Sequence, residues 1–193
     1  VKFANDNKKK TVKLFVSYSG HGSNMIDKNG DEADGMDEVL CPIDFAKAGF
    51  ITDDEVKAMI DSLPSNVKLF MLIDACHSGT MCDLKFNHNC DDKRICNIIG
   101  VSKPTSCDAV MISGCLDEQT STDAYLQNPE TKKYQYQGAI TSAFIANYKP
   151  NITYYDLINN IRKWLRDNGF EQFPQLSSGK LIEVDEVTML NGF

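Results

Sequence analysis

No stretch of this 193-residue chain is apolar over the roughly 18 residues that a membrane helix requires, so no span and no membrane partner are expected. There is no CxxC pair, which removes the stronger zinc spacings. No segment repeats, and no low-complexity linker divides the chain. Basic residues are in deficit: 20 Lys+Arg stand against 27 Asp+Glu, for a net charge of −7 and a pI near 4.9. That balance argues against nucleic acid, whose phosphates need a basic face, and suits basic partners or metal cations. Val1 to Lys10 is polar and lysine-rich, so no signal peptide is expected there. With 42% hydrophobic and 24% charged residues, the chain has enough apolar material for the core of one domain. Its seven cysteines, at 41, 76, 82, 90, 96, 107 and 115, are odd in number and read as reduced thiols of a cytoplasmic protein.

The apolar pattern alternates between strand and helix. Thr11 to Tyr18 is β-rich and runs at once into Ser19-Gly20-His21-Gly22. Thr52 opens a helix with Glu55 three residues on, a capping box; Val56, Met59, Ile60 and Leu63 form its stripe, and Pro64 stops it. Val67 to Asp74 and Ala109 to Ser113 are two further buried strands. Gly138 to Tyr148 and Thr153 to Asn168 read as helices, the second ended by Gly169, and Lys180 to Val184 as a last short strand. Strand–helix–strand order predicts a layered α/β domain with a mainly parallel sheet. Asn24 to Gly49, Cys82 to Cys107 and Asp117 to Gln137 fit no element. They read as long loops following strand ends, where open α/β sheets place their sites.

Cys76, in Asp74-Ala75-Cys76-His77-Ser78-Gly79, directly follows a buried strand. A thiol nucleophile needs a base or cation beside it. Of the three histidines, His77 is adjacent in sequence and tends to point away from Cys76, and His88 lies in a loop. His21 ends a strand of its own, and two parallel strands ending side by side would bring it to Cys76. The residues alone leave two readings open, a catalytic pair or a small core-filling cysteine with an unrelated histidine. Asp74 shares a strand face with Cys76, which suggests either selection of a cationic side chain or a strand-end cap. Asp27 to Glu38 resembles an EF-hand loop only in part, because Glu32 stands where glycine is needed. Asp53 and Asp54 fit helix first-turn acids, and Asp83 a solvated loop acid. Cys41 and Cys115 read as strand or core residues. Cys82, Cys90, Cys96 and His88 match no common zinc spacing.

Taken together, Tyr18 to Gly22 and Asp74 to Gly79 resemble the histidine and cysteine motifs of the metacaspases, in the caspase-like cysteine peptidase clan. Asp37 to Phe45, Ile51 to Asp54, Ile112 to Ala124, Gly138 to Phe144 and Pro174 to Ser178 are similar to further stretches of that family, in order and without a long insertion, as in its type I forms. The resemblance implies a caspase-like three-layer α/β/α sandwich with a mainly parallel central sheet. It implies a cysteine endopeptidase, possessing Cys76 as nucleophile, His21 as its partner, and backbone N–H groups of Gly22 and Cys76 for the oxyanion. Asp74 and Ser19 would line an S1 pocket for Arg or Lys of a protein substrate. Asp37, Asp53, Asp54 and Asp83 would bind Ca2+, which overrides the bland readings above. Lys93, Arg94, Lys132 and Lys133 are expected self-cleavage sites of a zymogen, and a monomer is expected. The family carries first strands and a second S1 acid ahead of its histidine motif, whereas 20 residues precede His21 here. The expectation is therefore one catalytic domain over residues 1–193 without those strands. The competing expectation is a non-catalytic, calcium-responsive module that binds basic peptides.

Overall fold

The structure is a computed structural model that describes residues 1–27, 35–76, 78, 81–88, 90, 98–99, 103–114, 123–127 and 134–191, with the backbone alone at 98–99, 123–127 and 134–137. In chain order the strands are β1 (Val12–Ser19), β2 (Gly22–Ile26), β3 (Met36–Leu40), β4 (Ile51–Thr52), β5 (Val67–Asp74), β6 (Phe86–His88), β7 (Ile98–Ile99), β8 (Asp108–Ser113), β9 (Asp123–Gln127), β10 (Tyr134–Gly138) and β11 (Gln175–Ser178). The helices are α1 (Lys2–Asp6), α2 (Phe45–Ala48), α3 (Asp53–Asp61), α4 (Ala139–Asn147) and α5 (Tyr154–Asp167).

The central sheet has six strands in the order β1-β5-β8-β11-β6-β7. β1, β5 and β8 are parallel, and from β8 to β7 each neighbouring pair is antiparallel. Side chains of a strand alternate between its faces, so each buried strand serves two cores. On β5 and β8, Phe70, Leu72, Val110 and Ile112 pack against Ile140 and Phe144 of α4 and Leu157, Ile158 and Ile161 of α5. The intervening Leu69, Met71, Ile73, Ala109 and Met111 face Val56 and Ile60 of α3 and Ala4 of α1. Helices therefore cover both faces, and the α/β/α sandwich is as expected. Each fully buried Leu, Ile or Phe contributes about 1.5–3 kcal/mol.

The helices begin where the sequence places them. Thr52 Oγ1 accepts from Glu55 N, and the Glu55 carboxylate accepts from Thr52 N, completing the capping box. Thr153 Oγ1 accepts from Asp156 N at the start of α5. Gly169 follows its end with φ 78°, a conformation that favours glycine. Tyr154, the first residue of α5, is buried in the core, and Trp164 stacks on Phe170.

Several expectations are corrected. The stretch from Lys180 to Val184 is not a strand; the last strand is β11, inserted between β8 and β6. β11 is buried throughout yet reads Gln-Leu-Ser-Ser, so it shows no apolar alternation. Asn24 to Gly49 contains β3, which pairs with β2 at the start of that stretch and with β4 just beyond it in a three-stranded antiparallel sheet. β3 escaped notice because Asp37 and Glu38 are buried acids at 5% and 2% exposure. β6 and β7 lie within Cys82 to Cys107, and β9 pairs with β10 inside Asp117 to Gln137. The strand β2 before the EF-hand-like segment and β3, which begins within its last residues, stand where an EF-hand needs helices. Cys82 and Cys90 belong to the two different cores, so they do not share a zinc site.

His88, expected in a loop, is fully buried on β6. Its Nε2 lies 2.6 Å from Ser178 Oγ, and Ser178 Oγ itself donates to the carbonyl of Lys180. The single hydroxyl proton is thereby committed, so Nε2 carries the imidazole hydrogen and Nδ1, which has no partner among the described residues, is a bare lone pair. A second proton would be a buried charge, and burial lowers the pKa of His88 from 6.5 to about 4. Above pH 6.5 the group is neutral in both folded and unfolded chains. As pH falls below 6.5 the unfolded imidazole takes up a proton that the folded one refuses. Stability is lost down to about pH 4, by at most about 3 kcal/mol. Urea midpoints of wild type and His88→Gln, measured from pH 7 to 4.5, are expected to show a shallower decline in the variant. Parallel declines would rule His88 out as the cause.

Candidate active site

β1 and β5 run side by side in parallel with Ser19 opposite Asp74. Both chains then leave the sheet at one edge, with His21 two residues past Ser19 and Cys76 two residues past Asp74. Gly20 N donates to the Asp74 carbonyl at 3.1 Å, which carries the pairing one step beyond the strands. Gly22 lies so close that a Cβ built there would stand 2.1 Å from the Cys76 carbonyl oxygen and 3.2 Å from Ala75 Cβ. The fold therefore juxtaposes the two segments that the sequence singles out. His21 is exposed and Cys76 partly exposed, while Ala75 is fully buried between them and the core.

The main chain at His21 is tied from two directions. Its carbonyl accepts from Cys41 N at 2.9 Å and from Tyr18 Oη at 2.9 Å. Tyr18 Oη also lies 3.1 Å from the Cys41 carbonyl, so its one proton is shared between two acceptors. Burial pushes the Tyr18 phenol up, which keeps it protonated as that donor. Cys41 is thus neither the strand residue nor the core residue expected. It follows β3, remains partly exposed, and its thiol is pushed up by burial and then by the neighbouring Cys76. Sequence spacing gives no signal for this, because Cys41 reaches His21 only through the β2–β3 pairing of Gly22 with Leu40.

A second unannounced support is Ser78. Fully buried, it donates to the Ala75 carbonyl at 2.9 Å and accepts from Gly114 N at 3.2 Å. It thereby pins the turn bearing Cys76 to the end of β8.

Asp74 is 2% exposed. Its Oδ2 accepts from Thr141 N at 2.8 Å and from Thr141 Oγ1 at 2.7 Å. A Cβ on Gly138 would stand 2.0 Å from the same Oδ2 and 2.8 Å from Ser19 Oγ. Ser19, Asp74, Gly138 and Thr141 therefore converge, one strand step from Cys76.

Of the expected calcium ligands, Asp53 is 2% exposed; its Oδ2 accepts from Glu38 N and its Oδ1 from Asp54 N, both at 2.8 Å. The buried Cys82 thiol is pushed up first by burial and then by the charges of Asp83 and Asp53. Asp83 has φ 43°, Asp37 is buried on β3, and Asp54 is exposed. The oxygen-only donor set suits a hard cation. Among the described residues, however, no three Asp, Glu, His or Cys side chains come close enough to share one ion. Lys93, Arg94, Lys132 and Lys133 lie outside the described residues, as do His77, Gly79, Cys96 and Cys115.

The metacaspase peptidase C14 domain family matches residues 2–85, which span both motifs. Metacaspase-1 of Arabidopsis thaliana is 41% identical over 169 residues, covering 81% of this chain and 44% of its own length. The chain is a relative of the metacaspases. Metacaspase-2 of Arabidopsis thaliana is 37% identical over 190 residues, with 92% of this chain and 43% of that protein covered. Metacaspase-2 of Trypanosoma brucei brucei is 35% identical, with 92% and 54% covered. The chain thus spans about half the length of the curated metacaspases it matches. Among solved structures, a Geobacter sulfurreducens protein superposes with a TM-score of 0.63 at 21% identity, covering all of this chain and 77% of that one, and bears on the fold alone.

Proposed function

We propose that this chain acts as a cysteine endopeptidase that cleaves after Arg or Lys and is activated by calcium. The observation that carries the reading is the parallel β1–β5 register, which delivers His21 and Cys76 to one sheet edge with Asp74 behind them. The Cys76 thiolate would attack the scissile carbonyl and form an acyl-enzyme. His21 would protonate the departing amine and later take a proton from the attacking water. Backbone N–H groups of Cys76 and Gly22 would receive the oxyanion. Asp74, with Ser19 beside it, would select the cationic side chain of the substrate.

Asp37, Asp53, Asp54 and Asp83 would hold the calcium, whose positive charge would offset the mutual repulsion of these acids as it draws them together. We further place self-cleavage at Lys93, Arg94, Lys132 or Lys133, on the basic residues there, and the protein in the cytoplasm, on its odd cysteine count.

Fluorogenic peptides ending in Arg and in Asp, each assayed with calcium and with a chelator, test this reading. Cleavage after Arg in calcium alone is the expected result. A folded sample that binds calcium and basic peptides but cleaves neither substrate would instead identify a binding module.

A further inference from the structure

Gly138 is the N-cap of α4 and has no side chain with which to cap it. The third N–H of the helix, that of Thr141, is satisfied from another element, by Asp74 Oδ2 at the end of β5. A helix cap needs only that bond. Here the Thr141 hydroxyl adds a second, at 2.7 Å, to the same oxygen. Gly138 and Ser19 close the space around Oδ2, since even a methyl group at Gly138 would overlap it. Oδ2 of the carboxylate is thus anchored by Thr141, in a place with 2% exposure, two residues before the candidate nucleophile.

We propose that Thr141 is a positioning residue for substrate specificity, whose hydroxyl holds the Asp74 carboxylate in the orientation that receives a cationic side chain. The proposal rests on the reading above that Asp74 selects Arg or Lys. Its physical basis is preorganisation. Hydrogen bonds replace the water that the carboxylate loses on burial, and a fixed acceptor avoids the ordering cost of binding. Hydrogen bonds to a charged group are the stronger ones, so loss of the hydroxyl is felt mainly when a cation docks. Nothing in the sequence couples the two residues, which lie 67 positions apart.

The test uses peptidyl chloromethyl ketones, which alkylate the nucleophilic thiol, ending either in arginine or in citrulline, its neutral isostere. For each, the half-saturating concentration and the limiting alkylation rate are measured separately. In Thr141→Val the half-saturating concentration of the arginyl probe is expected to rise about 10-fold or more. Its limiting rate should stay within about twofold, and the citrullinyl probe should be unaffected. Thr141→Ser is expected to restore wild-type values. If Thr141→Val fails to fold, Thr141→Ala removes the same hydroxyl with a better helix former and carries the same expectation. Equal losses for both probes, or no restoration by serine, would reduce Thr141 to a structural cap and overturn the proposal. A wild-type chain that does not prefer the arginyl probe would remove the Asp74 reading itself, and the proposal with it. That failure is visible before any variant is made.

Discussion

Cys76→Ala is expected to lower kcat/KM for an arginyl peptide by at least about 10³-fold, the scale seen when a covalent nucleophile is removed from a cysteine- or serine-type machine. The argument is chemical. Without the sulfur no acyl-enzyme forms, and the exposed His21 imidazole can only assist direct attack by water. Stability should change little, because Cys76 is partly exposed and the turn that bears it is held by backbone and Ser78 contacts that alanine leaves intact. Urea unfolding beside the assay separates the two effects. Cys41→Ala is the necessary companion, since a second partly exposed thiol stands next to Cys76. It should retain activity within about tenfold, because its contacts to the His21 segment are made by its backbone. Activity surviving in Cys76→Ala and vanishing in Cys41→Ala would transfer the nucleophile to Cys41.

Gly22→Ala is expected to cost about 10²-fold in kcat/KM and about 1–3 kcal/mol of stability. The added methyl group would sit 2.1 Å from the Cys76 carbonyl oxygen. That obstacle is backbone, so no side-chain rotation relieves it. β2 would have to withdraw from the Cys76 turn, carrying with it the N–H proposed for the oxyanion, and displacements near 1 Å are enough for losses of this size. Gly20→Ala provides the contrast. The atoms nearest its methyl group belong to the Tyr18 side chain, the hydroxyl at 2.8 Å being the far end of that side chain. It should therefore lose much less activity. Kinetics and urea midpoints on both variants decide the matter. Wild-type activity in Gly22→Ala would remove the Gly22 segment from the site.

Much of this protein was legible one residue at a time. β1, β5 and β8 announced themselves as apolar runs; β5 and β8 are buried on both faces and must be apolar throughout, whereas β1, at the edge of the sheet, is only half-buried to exposed. α3 and α5 were marked by Thr caps and periodic stripes, for the same local reasons that hold them in place. The histidine and cysteine motifs stood out because each follows such a strand.

What stayed hidden depends on contacts between distant segments. β11 is polar in sequence and exists because β8 and β6 flank it and supply its hydrogen bonds. His88 is silent as a sequence letter; Ser178, 90 positions away, decides its tautomer. Cys41 becomes a neighbour of Cys76 only when β2 pairs with β3. Thr141 reaches Asp74 only when α4 packs its start onto the end of β5. Local patterns thus determined which segments are strands and helices, because burial periodicity and capping are properties of adjacent residues. The tertiary structure alone decided which side chains meet at the sheet edge, because strand register and helix docking arise only when the core closes.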